Sequence, residues 1–101
     1  MNDTKQLFVL ISPKELKDEL VDLFMSMEKL SGFNLKIING YSQEHSNFNI
    51  TEQVEGYREF YQFEVLIKDN DKETLFAELM PICHAAKLRY WLLPISESGH
   101  F

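Results

Sequence analysis

Residues 57–68 read YREFYQFEVLIK. Tyr61, Phe63, Val65 and Ile67 alternate with Gln62, Glu64 and Lys68, the period of a strand that buries one face and wets the other. Leu66 breaks the polar side of that alternation. A second such stretch, LRYWLLPI at 88–95, sets Leu88, Tyr90 and Leu92 against Trp91, Leu93 and Ile95, so both of its sides are apolar. Together the two stretches predict a sheet that needs cover on both faces. Helices of the same chain can cover one; the apolar residues Leu66, Trp91, Leu93 and Ile95 on the other predict contact with further copies of the molecule.

The flanking segments complete the pattern. Leu7 to Ile11 is a short run of apolar, mostly branched residues, as in a strand buried on both sides. Ser12, Pro13 and Glu15 have the spacing of a capping box, with proline at the first helical position. Leu16, Leu20, Leu23, Phe24, Met27 and Leu30 follow as one helical stripe, and Gly32 marks a stop. From Phe33 the period returns to two, with Phe33, Leu35 and Ile37 against Asn34 and Lys36 in a strand to about Tyr41. Asn70 and Glu73 repeat the capping spacing before a second helix, with Leu75, Phe76, Leu79, Met80 and Ile82 as its buried stripe. Pro81 is expected to kink that helix or shift its last turn. The order strand, helix, strand, strand, helix, strand predicts one ferredoxin-like α+β domain over 1–101, with a four-stranded antiparallel sheet, two helices on one face and a short tail at 96–101.

Composition narrows the function. A hydrophobic fraction of 45% is that of a packed globular chain and not of a disordered one. Runs such as Trp91 to Leu93 fall far short of the roughly 20 residues that cross a bilayer, so no membrane insertion is expected. The polar start, Met1 to Gln6, does not read as a signal peptide, and the lone Cys83 rules out an internal disulfide framework; a cytoplasmic location is the expectation. A net charge of −6 argues against nucleic acid as a partner, because such binding draws on many cations.

Three constellations carry chemistry. His45, Cys83, His84 and His100 are the metal-ligating types present. Cys83 and His84 are adjacent, so on a helix they diverge by about 100° and do not clamp one ion. A core cysteine and solvated histidines are the plainer account, and a site shared between subunits stays open. Arg58, Lys68, Lys87 and Arg89 flank strand ends and could grip an anion or nucleotide, against the plain reading of solvated charge. The third constellation lies in and beside the connection at 42–56, which is polar, without a period, and longer than most loops of a compact domain. Tyr41, Glu44, His45, Phe48, Glu52, Glu55 and Tyr57 suit docking onto a partner protein or holding a cation, or else Phe48, Ile50 and Val54 pin the loop to a neighbouring subunit. No P-loop, dinucleotide fingerprint or metalloprotease motif occurs, and no histidine-linked nucleophile can be assembled, so the chain is not expected to be an enzyme.

Further motifs are Ser-Gly-Phe at 31–33, Gly-Tyr-Ser at 40–42 with His45 nearby, and Thr-Glu-Gln-Val-Glu-Gly at 51–56. They continue in Tyr-Trp-Leu-Leu-Pro-Ile at 90–95 and Glu-Ser-Gly at 97–99. In these residues the chain resembles a PII-like family, domain of unknown function 3240, related in fold to the PII signalling proteins and the CutA proteins. The resemblance implies a homotrimer with inward-facing sheets, a partner-contacting loop at 42–56, and operation in the cytoplasm beside heavy-metal efflux transporters of the resistance-nodulation-division type. Two features depart from PII proteins. The segment 69–73 has no glycine where the PII turn is glycine-rich, which argues against ATP binding in the PII manner, and the tyrosine-bearing modification motif is absent. The expectation is a trimeric regulator that binds a small effector at subunit interfaces. A CutA-like metal binder and a ligand-free structural adaptor stand as alternatives, and the identity of any cofactor stays open.

Overall fold

A computed structural model describes residues 4–41 and 57–101. Its regular elements are β1 (Lys5–Pro13), α1 (Lys17–Ser26), β2 (Phe33–Tyr41), β3 (Tyr57–Lys68), α2 (Lys72–Cys83) and β4 (Arg89–Ile95). Short 3₁₀ turns at Lys14–Leu16 and Asp69–Asp71 lead into the two helices. The strands form one sheet in the order β2-β3-β1-β4, with every neighbouring pair antiparallel. This is the ferredoxin-like α+β arrangement that the alternating periods predict.

Strand β1 sits inside the sheet, paired on one edge with β3 and on the other with β4. That position explains the unbroken burial from Phe8 to Ser12. On the helix side, Phe8 and Leu10 join Phe63, Val65 and Ile67 of β3 against Leu20 and Phe24 of α1 and Leu75 and Leu79 of α2. Phe24 holds the centre of this layer, with its ring 5.3 Å from that of Phe33 and 5.2 Å from that of Phe63. Truncating such a side chain to alanine typically costs about 3–5 kcal/mol.

The helix ends differ from those the spacing predicts. Ser12 does not cap α1: it is a strand residue opposite Tyr61, fully buried, and its hydroxyl donates to the Pro13 carbonyl at 2.8 Å. Pairing with β3 holds Ser12 extended, so the 3₁₀ turn starts after Pro13 with no side-chain cap. Helix α1 stops at Ser26, and Met27 is already extended, so Met27 and Leu30 pack on the core from the connection and Gly32 lies beyond it. Nor does Asn70 cap α2. It sits within the 3₁₀ turn, whose first N–H, that of Asp69, donates to the Thr4 carbonyl at 3.0 Å. Met80, placed in the buried stripe by its spacing, is 55% exposed. Pro81 is accommodated inside α2, which continues to Cys83.

After Cys83 the chain closes a Schellman turn. The Leu88 N–H donates to the Cys83 carbonyl at 3.3 Å and the Lys87 N–H to the His84 carbonyl at 3.1 Å. Lys87 takes the left-handed position at φ 54°, where glycine is usual. Among the described residues no helix is long and apolar enough to cross a membrane.

Candidate functional site

The sheet's second face is divided. Leu7 stands between Leu66 and Leu93, and Val9 between Glu64 and Trp91. Side chains alternate along each strand, so Leu66, Trp91, Leu93 and Ile95 all fall on the face away from the helices. Val9 and Ile11 are buried there by their neighbours, whereas Trp91 remains 41% and Leu93 44% exposed. Toward β2 the same face turns polar: Gln62 Nε2 donates to Glu64 Oε2 at 3.1 Å, and Lys36 pairs with that oxygen at 3.3 Å. Farther along, the Phe60 ring lies so close to Gly40 that a Cβ there would come within 2.6 Å of it.

Beyond this apolar patch lies a cleft of about 310 Å³. Register builds it: β1 sets Ile11 beside Arg89 and Pro13 beside Phe60, while the Schellman turn brings Lys87 to the same place. Arg58, two residues before Phe60 and therefore on the same face, closes it together with Glu15. The Arg58 guanidinium lies over the Phe60 ring at 5.4 Å from its centroid, and its Nη2 is 3.8 Å from Glu15 Oε1. That ion pair is long and Glu15 is largely exposed, so it adds little to stability. Lys87 and Arg89 make no ion pair among the described residues.

Arg58, Lys87 and Arg89 thus share one cleft; Lys68 does not. It ends β3 opposite Lys5, and the strand that separates it from Arg58 extends about 34 Å at about 3.4 Å per residue. Apolar Ile11, Pro13 and Phe60 were not singled out in the sequence as cleft residues. The shared parity of Arg58 and Phe60 on β3 is the signal that could have found the ring beneath the guanidinium.

Tyr41 and Tyr57 face each other across the last β2–β3 pair, with ring centroids 5.5 Å apart. They close the base of the 42–56 connection one residue from Arg58. Glu44, His45, Phe48, Glu52 and Glu55 lie outside the described residues.

Cys83 and His84 line a separate, apolar pocket between α2 and β4, and His100 stands exposed in the tail. Burial, aided by the Glu19 carboxylate, pushes the Cys83 thiol up to about 11, so it stays protonated at neutral pH. Among the described residues no group of three His, Cys, Asp or Glu side chains could hold a metal ion.

A family model for a protein of unknown function (DUF3240) matches residues 3–101. A DUF3240 family protein from Shewanella baltica OS155, known from its crystal structure, is 36% identical; the match covers 100% of this chain and 99% of that one, with a TM-score of 0.80. PII from Arabidopsis thaliana, in a structure bound to citrate, is 10% identical over 94% of this chain and 80% of that one, with a TM-score of 0.68. A functionally unknown protein from Pediococcus pentosaceus ATCC 25745 is also 10% identical, over 99% of this chain and 100% of that one, at a TM-score of 0.66. The last two share the fold with this chain. No curated protein matches it.

Proposed function

From the premise that this chain belongs to the DUF3240 family and has a PII-like fold, we propose that it is a non-enzymatic regulator which binds a small polyanion at the Arg58, Lys87 and Arg89 cleft. The observation that carries this reading is the convergence of three cations from two strands and a turn, in a chain of net charge −6. Two guanidiniums and an ammonium around an apolar floor suit a phosphate- or carboxylate-bearing molecule, since each guanidinium can donate two parallel hydrogen bonds. The PII structure that holds citrate supports an anion as the ligand class.

Ligand capture acts on the neighbouring connection. Arg58 follows Tyr57 directly, so a ligand that fixes the guanidinium also biases how the 42–56 segment leaves the sheet. A ligand that binds more tightly when that segment engages its partner raises affinity for the partner by the same factor. The molecule works in the cytoplasm as a homotrimer joined through Leu66, Trp91, Leu93 and Ile95. Its partner is a heavy-metal efflux transporter of the resistance-nodulation-division type. The metal-carrying alternative draws less support, because Cys83 and His84 line a predominantly apolar pocket.

Calorimetric titration of the purified chain with citrate, inorganic phosphate, ATP, ADP and AMP tests the site. At least one of these binds, and Arg89→Ala or Arg58→Ala weakens it about tenfold or more. If the wild-type chain binds none of them, or both variants bind as well as wild type, the cleft is not the effector site.

A further inference from the structure

The pocket between α2 and β4 lies outside the proposed effector cleft and has different chemistry. Its volume is about 390 Å³, within the range of small-molecule sites. Phe8, Leu10 and Leu79 line it at 1%, 2% and 5% exposure, whereas Met80 and Tyr90 stand 55% and 52% exposed at its rim. Three rings build one wall: Phe76 meets Tyr90 edge-on at 5.0 Å, and Phe8 lies 5.6 Å from Phe76 and 5.8 Å from Tyr90. Half-exposed Met and Tyr side chains around an open, carbon-lined hollow gain by covering it.

One full charge borders this hollow. Lys87 lines the pocket as well as the cation cleft, and the left-handed backbone of the Schellman turn holds it there without an ion-pair partner among the described residues. The other titratable groups that line it are exposed His84, the Tyr90 phenol and the Cys83 thiol, which burial keeps protonated. An occupant that matches both the lining and the single cation has an apolar body and one negative head. A polyanion matches only the cleft, where Arg58 and Arg89 add their charges.

We propose that the pocket formed by Phe8, Leu79, Met80 and Tyr90, with Lys87 at its mouth, is a second ligand site that takes a free monocarboxylate with an apolar chain or ring. Its aliphatic or aromatic body lies against Phe8, Leu79 and the Phe76–Tyr90 wall, and its carboxylate meets the Lys87 ammonium. Because Lys87 borders both hollows, occupation of this site also alters the third cation of the effector cleft.

The test is calorimetric titration of the whole chain with decanoate, beside decanol as a head without charge and citrate as charge without a tail. Decanoate binds once per chain, and decanol binds more weakly. Met80→Trp, which fills the mouth from an exposed position, abolishes decanoate binding. Lys87→Ala weakens it about fivefold, as loss of a partly exposed ion pair does, and Lys87→Arg restores it. Arg58→Ala leaves decanoate affinity unchanged, so failure of this site is distinguishable from failure of the effector cleft. Any of three results overturns the proposal: no decanoate binding to the wild-type chain at millimolar concentration, several molecules bound per chain, or equal affinity in wild type and Met80→Trp.

Discussion

The two faces of this sheet both carry apolar side chains and meet different fates. On the helix side Phe8, Leu10, Phe63, Val65 and Ile67 are sealed by α1 and α2. On the other side Val9 and Ile11 are buried by their own neighbours, yet Trp91 and Leu93 keep more than two fifths of their surface. The first face is finished within the chain and the second is not. Stability therefore concentrates on one side of the sheet, and the proposed trimer contact and the cation cleft lie on the other.

Substitutions on the two faces put this contrast to the test. Phe24→Ala, at the centre of the helix side, lowers unfolding free energy by about 3–5 kcal/mol in urea denaturation. A loss under 1 kcal/mol would mean that the helix layer is not the core. Trp91→Glu with Leu93→Glu changes the state of association instead: sedimentation velocity shows the wild-type chain as a trimer at micromolar concentration and the double variant as a folded monomer. A wild-type monomer, or a variant that unfolds, would erase the distinction between the faces.

A smaller effect comes from the turn between the two hollows. Lys87→Gly removes the left-handed strain and raises stability by about 1 kcal/mol while it deletes a cleft cation, so melting temperature rises as anion affinity falls. The alkaline response of Cys83 is confined to high pH. Its folded value, about 11, lies above the ordinary 9.0, so its protonated thiol favours the fold below pH 9 and this contribution is lost as pH rises through 11. Replacement by alanine flattens stability over that window. An unchanged profile would show that the thiol is not desolvated.

Periodicity made the layered parts readable. Alternation over 57–68 gave β3 and its two faces, and the off-pattern Leu66 marked the side that has no helix. Capping spacing misled because strand pairing competes with it: Ser12 stays extended beside Tyr61, and both helices are entered through 3₁₀ turns instead. Met80 has the spacing of a core residue but borders a hollow, and the width of the gap between α2 and β4 is not written in any local pattern. Of the four candidate cations, Lys68 stands within the chain at the opposite end of β3 from Arg58, because residue type says nothing about which end of a strand a side chain occupies. Arg58, Lys87 and Arg89 meet only through the β1–β3 and β1–β4 registers, which tertiary pairing sets.

Hydrogen exchange across 42–60 tests the central claim most directly, measured with and without whichever of citrate, phosphate, ATP, ADP or AMP binds most tightly. The account predicts slower exchange in this segment when ligand saturates the wild-type chain, and no slowing in Arg89→Ala at the same concentration. Identical exchange with and without ligand in the wild-type chain would contradict it, as would protection that persists in Arg89→Ala.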